Sequence, residues 1–158
     1  MKKKHSVAVL LAVMLALSAI GQSAPATFKV AAVSLTAFQK IVINTPVDIV
    51  LVQDNILKEA LIEGDEKLVA ALTLFIAKDV MTVSGKDPLR QEKIKMTIPV
   101  ANLSWLQIND DAQVTSQNIL SSPKLTVFIN GNCAVNLRSS GKIVVTGVNG
   151  HEIIYTKR

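Results

Sequence analysis

A short turn motif recurs along the C-terminal half of the chain, and it constrains the fold more than any other feature. Each copy has a β-branched residue, then Asn, then Asp or Gly, three further residues and a second β-branched residue. Clear copies are residues 108–114, 129–135 and 148–154, and a fainter one is 43–49. The clear copies begin 21 and 19 residues apart. This spacing predicts one structural unit per copy, each packed on the next.

The residues of the motif explain why it forms a turn. Asn tolerates the left-handed backbone region and bonds to its own backbone in turns, and Asn-Gly is the favoured pair of a tight hairpin turn. Each copy therefore predicts a strand, a tight turn and a second strand. If the copies stack, their turns form a structural ladder, whose members are Asn44, Asn109, Asn130, Asn149, Gly131 and Gly150.

The segments between the turns have the pattern of strands. Residues 93–98 alternate strictly between polar and apolar, a period of two that is typical of half-buried strands. The same period of two relates Leu125, Val127 and Ile129, and also Ile143, Val145 and Gly147. Only residues 66–77 have a helix-like composition, and there we expect one short helical turn before residues 72–76 continue as a strand. The sequence thus predicts an all-β domain.

Two architectures fit a period of about 20 residues. One is a β-helix-like solenoid of short strands, in which each coil of about 20 residues stacks on the last. The other is an antiparallel β-sandwich of consecutive hairpins. Asn-Gly turns favour hairpins locally, whereas recurrence of the same residues at a fixed period favours stacked coils. The periodicity leaves both architectures open.

Residues 1–21 have the pattern of a secretory signal peptide. Three consecutive lysines precede an uncharged apolar run, and Ala19 and Gly21 place small residues at the −3 and −1 positions of a peptidase site. The alternative is a retained membrane anchor, but a run of about 14 residues is shorter than the roughly 20 that span a bilayer. We therefore predict cleavage and export to the periplasm, the cell surface or the medium, with no membrane span afterwards.

The rest of the chain is predicted to be a connector, residues 22–36, and one all-β repeat domain, residues 37–158. The formal charge of +5 overstates how basic that domain is. Without the three lysines of the leader, 14 basic residues stand against 12 acidic ones. Because nucleic-acid binding depends on a concentration of basic residues, we expect no nucleic-acid partner.

No catalytic or metal-binding set is evident. The adjacent Asp110 and Asp111 suggest calcium, but such a site needs six to eight oxygens, and the later turns do not repeat the acids. His151 beside Glu152 has no histidine or cysteine at ligand spacing. Residues 139–141 lack the Gly-x-Ser-x-Gly frame of a nucleophile turn. We therefore expect no enzyme, no cofactor and no metal.

Strand parity predicts the orientation of two further side chains. Trp105 has the opposite parity to Leu106 and Ile108, which makes it a candidate surface contact on the outer face; the alternative is that it covers the end of the core. Cys133 shares parity with Val135, and a lone cysteine cannot form an intrachain disulfide. We expect it to be a small inward-facing hydrophobe rather than a reactive thiol.

Three stretches in order resemble the head GIN domain family of proposed autotransporter adhesins. They are residues 38–53, the acidic turn 62–68, and 94–108, where a strand leads through a proline to the first repeat; the likeness extends over roughly 37–150. The resemblance implies an exported protein of Gram-negative bacteria with a right-handed β-helix-like fold of two sheets. It also implies an adhesive function without the catalytic residues of pectin-lyase-type helices.

The function that follows is an exported, non-enzymatic binding or adhesion-type module of the Gram-negative cell envelope. Its expected partners are an envelope or host-surface protein or a glycan, and the apolar C-terminal residues 153–155 make a homo-oligomer a further expectation. The alternative is a periplasmic structural or stress-related protein, and a remote alternative is a polysaccharide-acting β-helix enzyme.

Overall fold

The structure is a computed structural model, and it describes residues 27–86 and 94–147 together with the backbone of 152–157. The predicted signal peptide lies outside the described residues, as do His151 and the turn residues Asn149 and Gly150.

The described ranges contain strands and one short helix, which confirms the all-β prediction. The elements of the first described range, residues 27–86, are β1 (Phe28–Ser34), β2 (Lys40–Asn44), β3 (Val47–Gln53), β4 (Glu59–Asp65), α1 (Glu66–Ala71), β5 (Leu72–Ala77) and β6 (Val80–Gly85). The elements after it are β7 (Lys95–Val100), β8 (Trp105–Ile108), β9 (Ala112–Ser116), β10 (Lys124–Ile129), β11 (Cys133–Ser139), β12 (Lys142–Thr146) and β13 (Glu152–Lys157).

The strands form two mixed sheets, and each repeat contributes one strand to each sheet. Sheet A has the order β1-β4-β7-β3-β9-β11-β13, and sheet B has the order β12-β10-β8-β2-β6-β5. Strands of successive repeats pair in parallel, so that Leu106 lies opposite Val127 in sheet B and Val114 lies opposite Val135 in sheet A. Equivalent residues of successive copies are therefore neighbours in the same sheet.

Antiparallel pairs occur at the end of the sheets that is remote from β12 and β13. There β1 pairs with β4, β4 pairs with β7, and β5 pairs with β6. Strand β1 lies within residues 22–36, which the sequence predicts to be a connector. The prediction missed it because only Ala31 and Val33 of β1 are half-buried, and the strand therefore lacks a regular apolar alternation.

Helix α1 carries the chain from sheet A to sheet B. Asp65 caps its N-terminus, since its side chain accepts hydrogen bonds from the N–H groups of Lys67 at 2.9 Å and Leu68 at 3.4 Å. Val69 is buried, and the helix contacts β1, β4 and β5. The predicted short helix followed by a strand is confirmed, because β5 begins directly at Leu72.

In the part of the chain that the structure describes, the inward-facing residues of both sheets build an apolar core. Sheet B contributes Ile41, Leu106 and Val127, which are neighbours across β2, β8 and β10. Sheet A contributes Ile49 and Val114, which are neighbours across β3 and β9. All five side chains are almost fully buried. The alternate residues of the same strands face outward and leave two sheet faces for contacts.

Candidate functional site

The Asn turns of neighbouring repeats contact one another. The side-chain amide of Asn109 donates to Asn44 Oδ1 at 2.7 Å, and Gln107 Nε2 donates to Asn109 Oδ1 at 3.0 Å. One repeat further along, the backbone N–H of Asn130 donates to the carbonyl oxygen of Ile108 at 2.7 Å. The structure thus brings three of the four predicted Asn positions to adjacent places along one edge of the sheets.

Gly131 belongs to the same row of turns, and its lack of a side chain has a steric reason. A Cβ atom at Gly131 would lie 2.7 Å from the carbonyl oxygen of Asp110, which is too close for any real contact. The turn of one repeat therefore packs its backbone against the turn of the previous repeat. The part of the ladder that depends on Asn149 and Gly150 stays a prediction.

The amide contact between the first two turns can be tested by a double-mutant cycle. We expect Asn44→Ala and Asn109→Ala each to lower the free energy of unfolding by about 1 kcal/mol. Because both substitutions remove the same hydrogen bond, the double variant should lose less than the sum of the two. Urea unfolding of the four proteins gives the coupling energy, and strictly additive losses would contradict the contact.

Trp105 lies on the outward face of sheet B, partly exposed, while the next residue, Leu106, is fully buried. Its ring stacks on Phe128 with centroids 6.4 Å apart and planes inclined by 13°. The row of outward-facing positions that crosses sheet B through Phe128 carries no charged side chain. In strand order from β12 to β5 the row is Thr146, Phe128, Gln107, Val42, Thr82 and Phe75.

Cys133 begins β11 and packs against the core with partial exposure. Burial, and secondarily the negative charge of Asp111, raise the pKa of the Cys133 thiol above its ordinary value. Both effects disfavour the thiolate, which is the reactive form of cysteine. The environment therefore suits a packing role better than a nucleophilic one.

The raised pKa of the Cys133 thiol can be tested by its reactivity. We expect Cys133 to react with iodoacetamide more slowly than a free thiol at pH 8, with a pH midpoint above that of glutathione. Asp111→Asn should lower the midpoint because it removes the neighbouring charge, whereas Asp110→Asn is the matched control and should change it less. A midpoint below that of glutathione would contradict this description.

A groove lies where the connecting loops meet at one corner of the sheets, and the sequence did not indicate it. Its volume is about 540 Å³. It is flanked by the β3–β4 loop, in which Asp54 Oδ1 accepts hydrogen bonds from the N–H groups of Leu57 at 2.9 Å and Ile56 at 2.7 Å. These two bonds, that from Leu57 first, lower the pKa of Asp54. The groove residues are Leu35, Thr36, Ala37, Phe38, Gln39, Asp54, Asn55, Leu57, Lys58, Asp79, Pro99, Ala101 and Asn102.

The same loop holds two apolar side chains in solvent. Ile56 is 86% exposed and Leu57 is 59% exposed. The sequence signal for this exposed turn is Asp54, followed two and three residues later by Ile56 and Leu57. An Asp side chain accepts hydrogen bonds from backbone N–H groups at that spacing in a turn. The two hydrogen bonds to Asp54 constrain the loop backbone at these residues.

The remaining chemical candidates have structural explanations or lie outside the described part of the chain. Ser139 Oγ accepts from the N–H of Gly141 at 3.1 Å and donates to the carbonyl oxygen of Leu120 at 3.3 Å, so it serves the turn. Within residues 27–86 and 94–147, no group of three or more His, Cys, Asp or Glu side chains could hold a metal ion. No helix in the described ranges is long and apolar enough to cross a bilayer.

The arrangement is that of an all-β domain with two sheet faces and a groove between its loops. The family model described as "Putative auto-transporter adhesin, head GIN domain" matches residues 37–156. The chain therefore belongs to the head GIN domain family, and the resemblance drawn from the sequence is confirmed. That family is described by adhesion and not by an enzymatic reaction.

Solved structures share the fold. A putative adhesin from Parabacteroides merdae has a TM-score of 0.69 at 18% identity, over 83% of this chain and 57% of its own. A putative adhesin from Parabacteroides distasonis has a TM-score of 0.52 at 12% identity, over 77% and 66%. A protein from the same species, described as a putative lipid binding protein, has a TM-score of 0.53 at 11% identity, over 79% and 60%.

The chain thus spans less than two thirds of the length of these relatives. At such low identity the likeness concerns the fold alone. A comparison with curated proteins gave no match.

Proposed function

We propose that the chain is an exported, non-enzymatic binding module of the Gram-negative cell envelope and that it makes adhesion-type contacts. The observation that carries the proposal is the family match over residues 37–156. An exported or surface location agrees with that family. The signal-peptide pattern of residues 1–21 supports the same location from the sequence.

The architecture we propose for this module is a right-handed β-helix-like solenoid with coils of about 20 residues. Parallel pairing of β8 with β10 and of β10 with β12, one strand from each repeat, supports it. In such a stack every coil adds two outward-facing strands, so that the faces grow as flat, continuous surfaces. Flat surfaces of this kind suit contacts with proteins or glycans.

The contact face we propose is the outer face of sheet B. Trp105 and Phe128 supply stacked aromatic surface, and the amide groups of Gln107 and Asn109 supply donors and acceptors beside it. Aromatic surface next to fixed amides can bind sugars or the surface of a protein. Strands β2, β10 and β12 each begin with a lysine, namely Lys40, Lys124 and Lys142. The partner is therefore an envelope or host-surface protein or a glycan.

The test is binding of the labelled protein to intact envelope and host cells and to immobilised glycans. Trp105→Ala is expected to weaken saturable binding about tenfold or more, because a central aromatic side chain carries much of a contact's energy. The control is Asn136→Ala, at an exposed position on the outer face of sheet A. Circular dichroism checks the fold of both variants.

Two results would contradict the proposal. Absence of saturable binding to cells and glycans would favour a periplasmic structural role. Equal losses in Trp105→Ala and Asn136→Ala would remove the outer face of sheet B as the contact.

A further inference from the structure

Among the described residues, β1 is an edge strand of sheet A, and one of its two edges pairs with β4. The N–H of Leu35 donates to the carbonyl oxygen of Lys58 at 2.7 Å, and the N–H of Glu66 donates to that of Thr27 at 2.9 Å. Odd-numbered residues of β1 therefore point their backbone groups at β4. Because these directions alternate along a strand, the groups that point away from β4 belong to Phe28, Val30, Ala32 and Ser34.

The outward edge of β1 has few of the features that protect natural edge strands. Such strands usually carry outward charges, prolines or bulges that prevent pairing with another chain. In β1 the side chains on the outer face are apolar or small, with Phe28 69% and Val30 56% exposed. The one charge, Lys29, lies on the inner face, where its ammonium group is 3.6 Å from a carboxylate oxygen of Glu66.

The apolar surface continues from the edge onto the next strand. Ala32 lies opposite Leu61 of β4, and Leu61 is 42% exposed. Val30 lies opposite Glu63, whose carboxylate is 3.6 Å from the ammonium group of Lys95 on β7. A small apolar patch is thus adjacent to the open edge and is bordered by a paired acid.

We propose that β1 is an interface for a second copy of this chain, with the two β1 strands paired antiparallel about a two-fold axis at Ala31. Full overlap of Phe28–Ser34 requires that axis. It places Val30 opposite the partner's Ala32, and Phe28 opposite the partner's Ser34. Each of the four residues that point away from β4 then lies opposite another such residue of the partner, so every N–H and C=O group of this edge that has no partner among the described residues becomes paired.

The side chains in this register are compatible with a symmetric contact. Lys29 lies opposite the partner's Val33, so no like charges oppose each other. The small Ala31 side chains face each other at the axis, and the patches formed by Val30, Ala32 and Leu61 of both copies join. A strand that fits a copy of itself meets the requirement of a two-fold interface, and the two seven-stranded sheets become continuous.

The first test is sedimentation velocity of the purified protein over a range of concentrations, with Val30→Pro as the variant. The Val30 N–H points away from β4, so proline there removes an interface donor and leaves the pairing with β4 intact. We expect the unaltered protein and Val30→Thr, which keeps the N–H and the β-branched shape, to form a dimer. Val30→Pro is expected to remain monomeric with an unchanged circular dichroism spectrum.

The second test locates the axis independently of any effect of proline on folding. In a Cys133→Ser background, Ala31→Cys should oxidise to an intermolecular disulfide, because residues facing each other at such a non-bonded position have Cα atoms about 4.5 Å apart. Ser34→Cys is the matched control on the same strand and should cross-link poorly, since it lies opposite the partner's Phe28.

Three results would overturn the inference. They are an unaltered protein that is monomeric up to its solubility limit, a folded Val30→Pro variant that still dimerises, and cross-linking of Ser34→Cys as fast as that of Ala31→Cys.

Discussion

Gly141→Ala is expected to destabilise the protein by about 3 kcal/mol or more. A Cβ atom at Gly141 would lie 2.1 Å from the carbonyl oxygen of Ser122 and 2.5 Å from that of Pro123. Both contacts are with backbone, which cannot rotate away as a side chain can. The N–H of Lys142 donates to the same Pro123 oxygen at 3.0 Å, so any shift that relieves the overlap also strains this link between repeats.

The measurement is urea unfolding followed by circular dichroism, with Gly64→Ala as the matched control. A Cβ atom at Gly64 would lie 3.3 Å from Ile94 Cγ1, which is a movable side-chain atom. We therefore expect a loss of about 1 kcal/mol or less for Gly64→Ala. Similar losses in the two variants would contradict the steric account of Gly141.

Leu106→Ala is the second substitution with a large expected effect. Leu106 is fully buried and lies between Ile41 and Val127 in the central strands of sheet B. Removal of its side chain should lower the free energy of unfolding by about 2–5 kcal/mol, because apolar burial is lost and the neighbours cannot close the cavity completely. A central location predicts a value in the upper half of that range.

Gln107→Ala is the control for Leu106→Ala, since the two residues are adjacent in β8 and face opposite sides of sheet B. Gln107→Ala removes the hydrogen bond from Gln107 to Asn109, so we expect it to lower the free energy of unfolding by about 1 kcal/mol. Thermal and urea unfolding should rank the two variants in the same order. A larger loss for Gln107→Ala would mean that the inward and outward faces of β8 are assigned wrongly.

Local signals in the sequence predict the strands and turns well. The apolar residues of 94–98 alternate because Ile94, Met96 and Ile98 face the core while Lys95 is exposed, and the helix-like composition that begins at residue 66 predicts α1. The same local signals leave the architecture open. Asn-Gly turns serve hairpins and stacked coils alike, so the choice between the two depends on how distant strands pair and not on the turns.

Features that depend on long-range register were outside the reach of the sequence. Trp105 and Phe128 are 23 residues apart in the sequence, and their stacking follows from the pairing of β8 with β10. Strand β1 depends on backbone bonds to β4 rather than on a buried face. The groove at residues 35–39 and 54–58 forms only where separate loops meet.

The central claim, a binding module that acts outside the cell, is tested most directly by protease shaving of intact cells. An antibody against the domain reports the protein that survives, and a known periplasmic protein serves as the control for envelope integrity. We expect the domain to be cleaved on whole cells while the control stays intact. Protection of the domain until the outer membrane is opened would contradict the claim and assign the protein to a role within the periplasm.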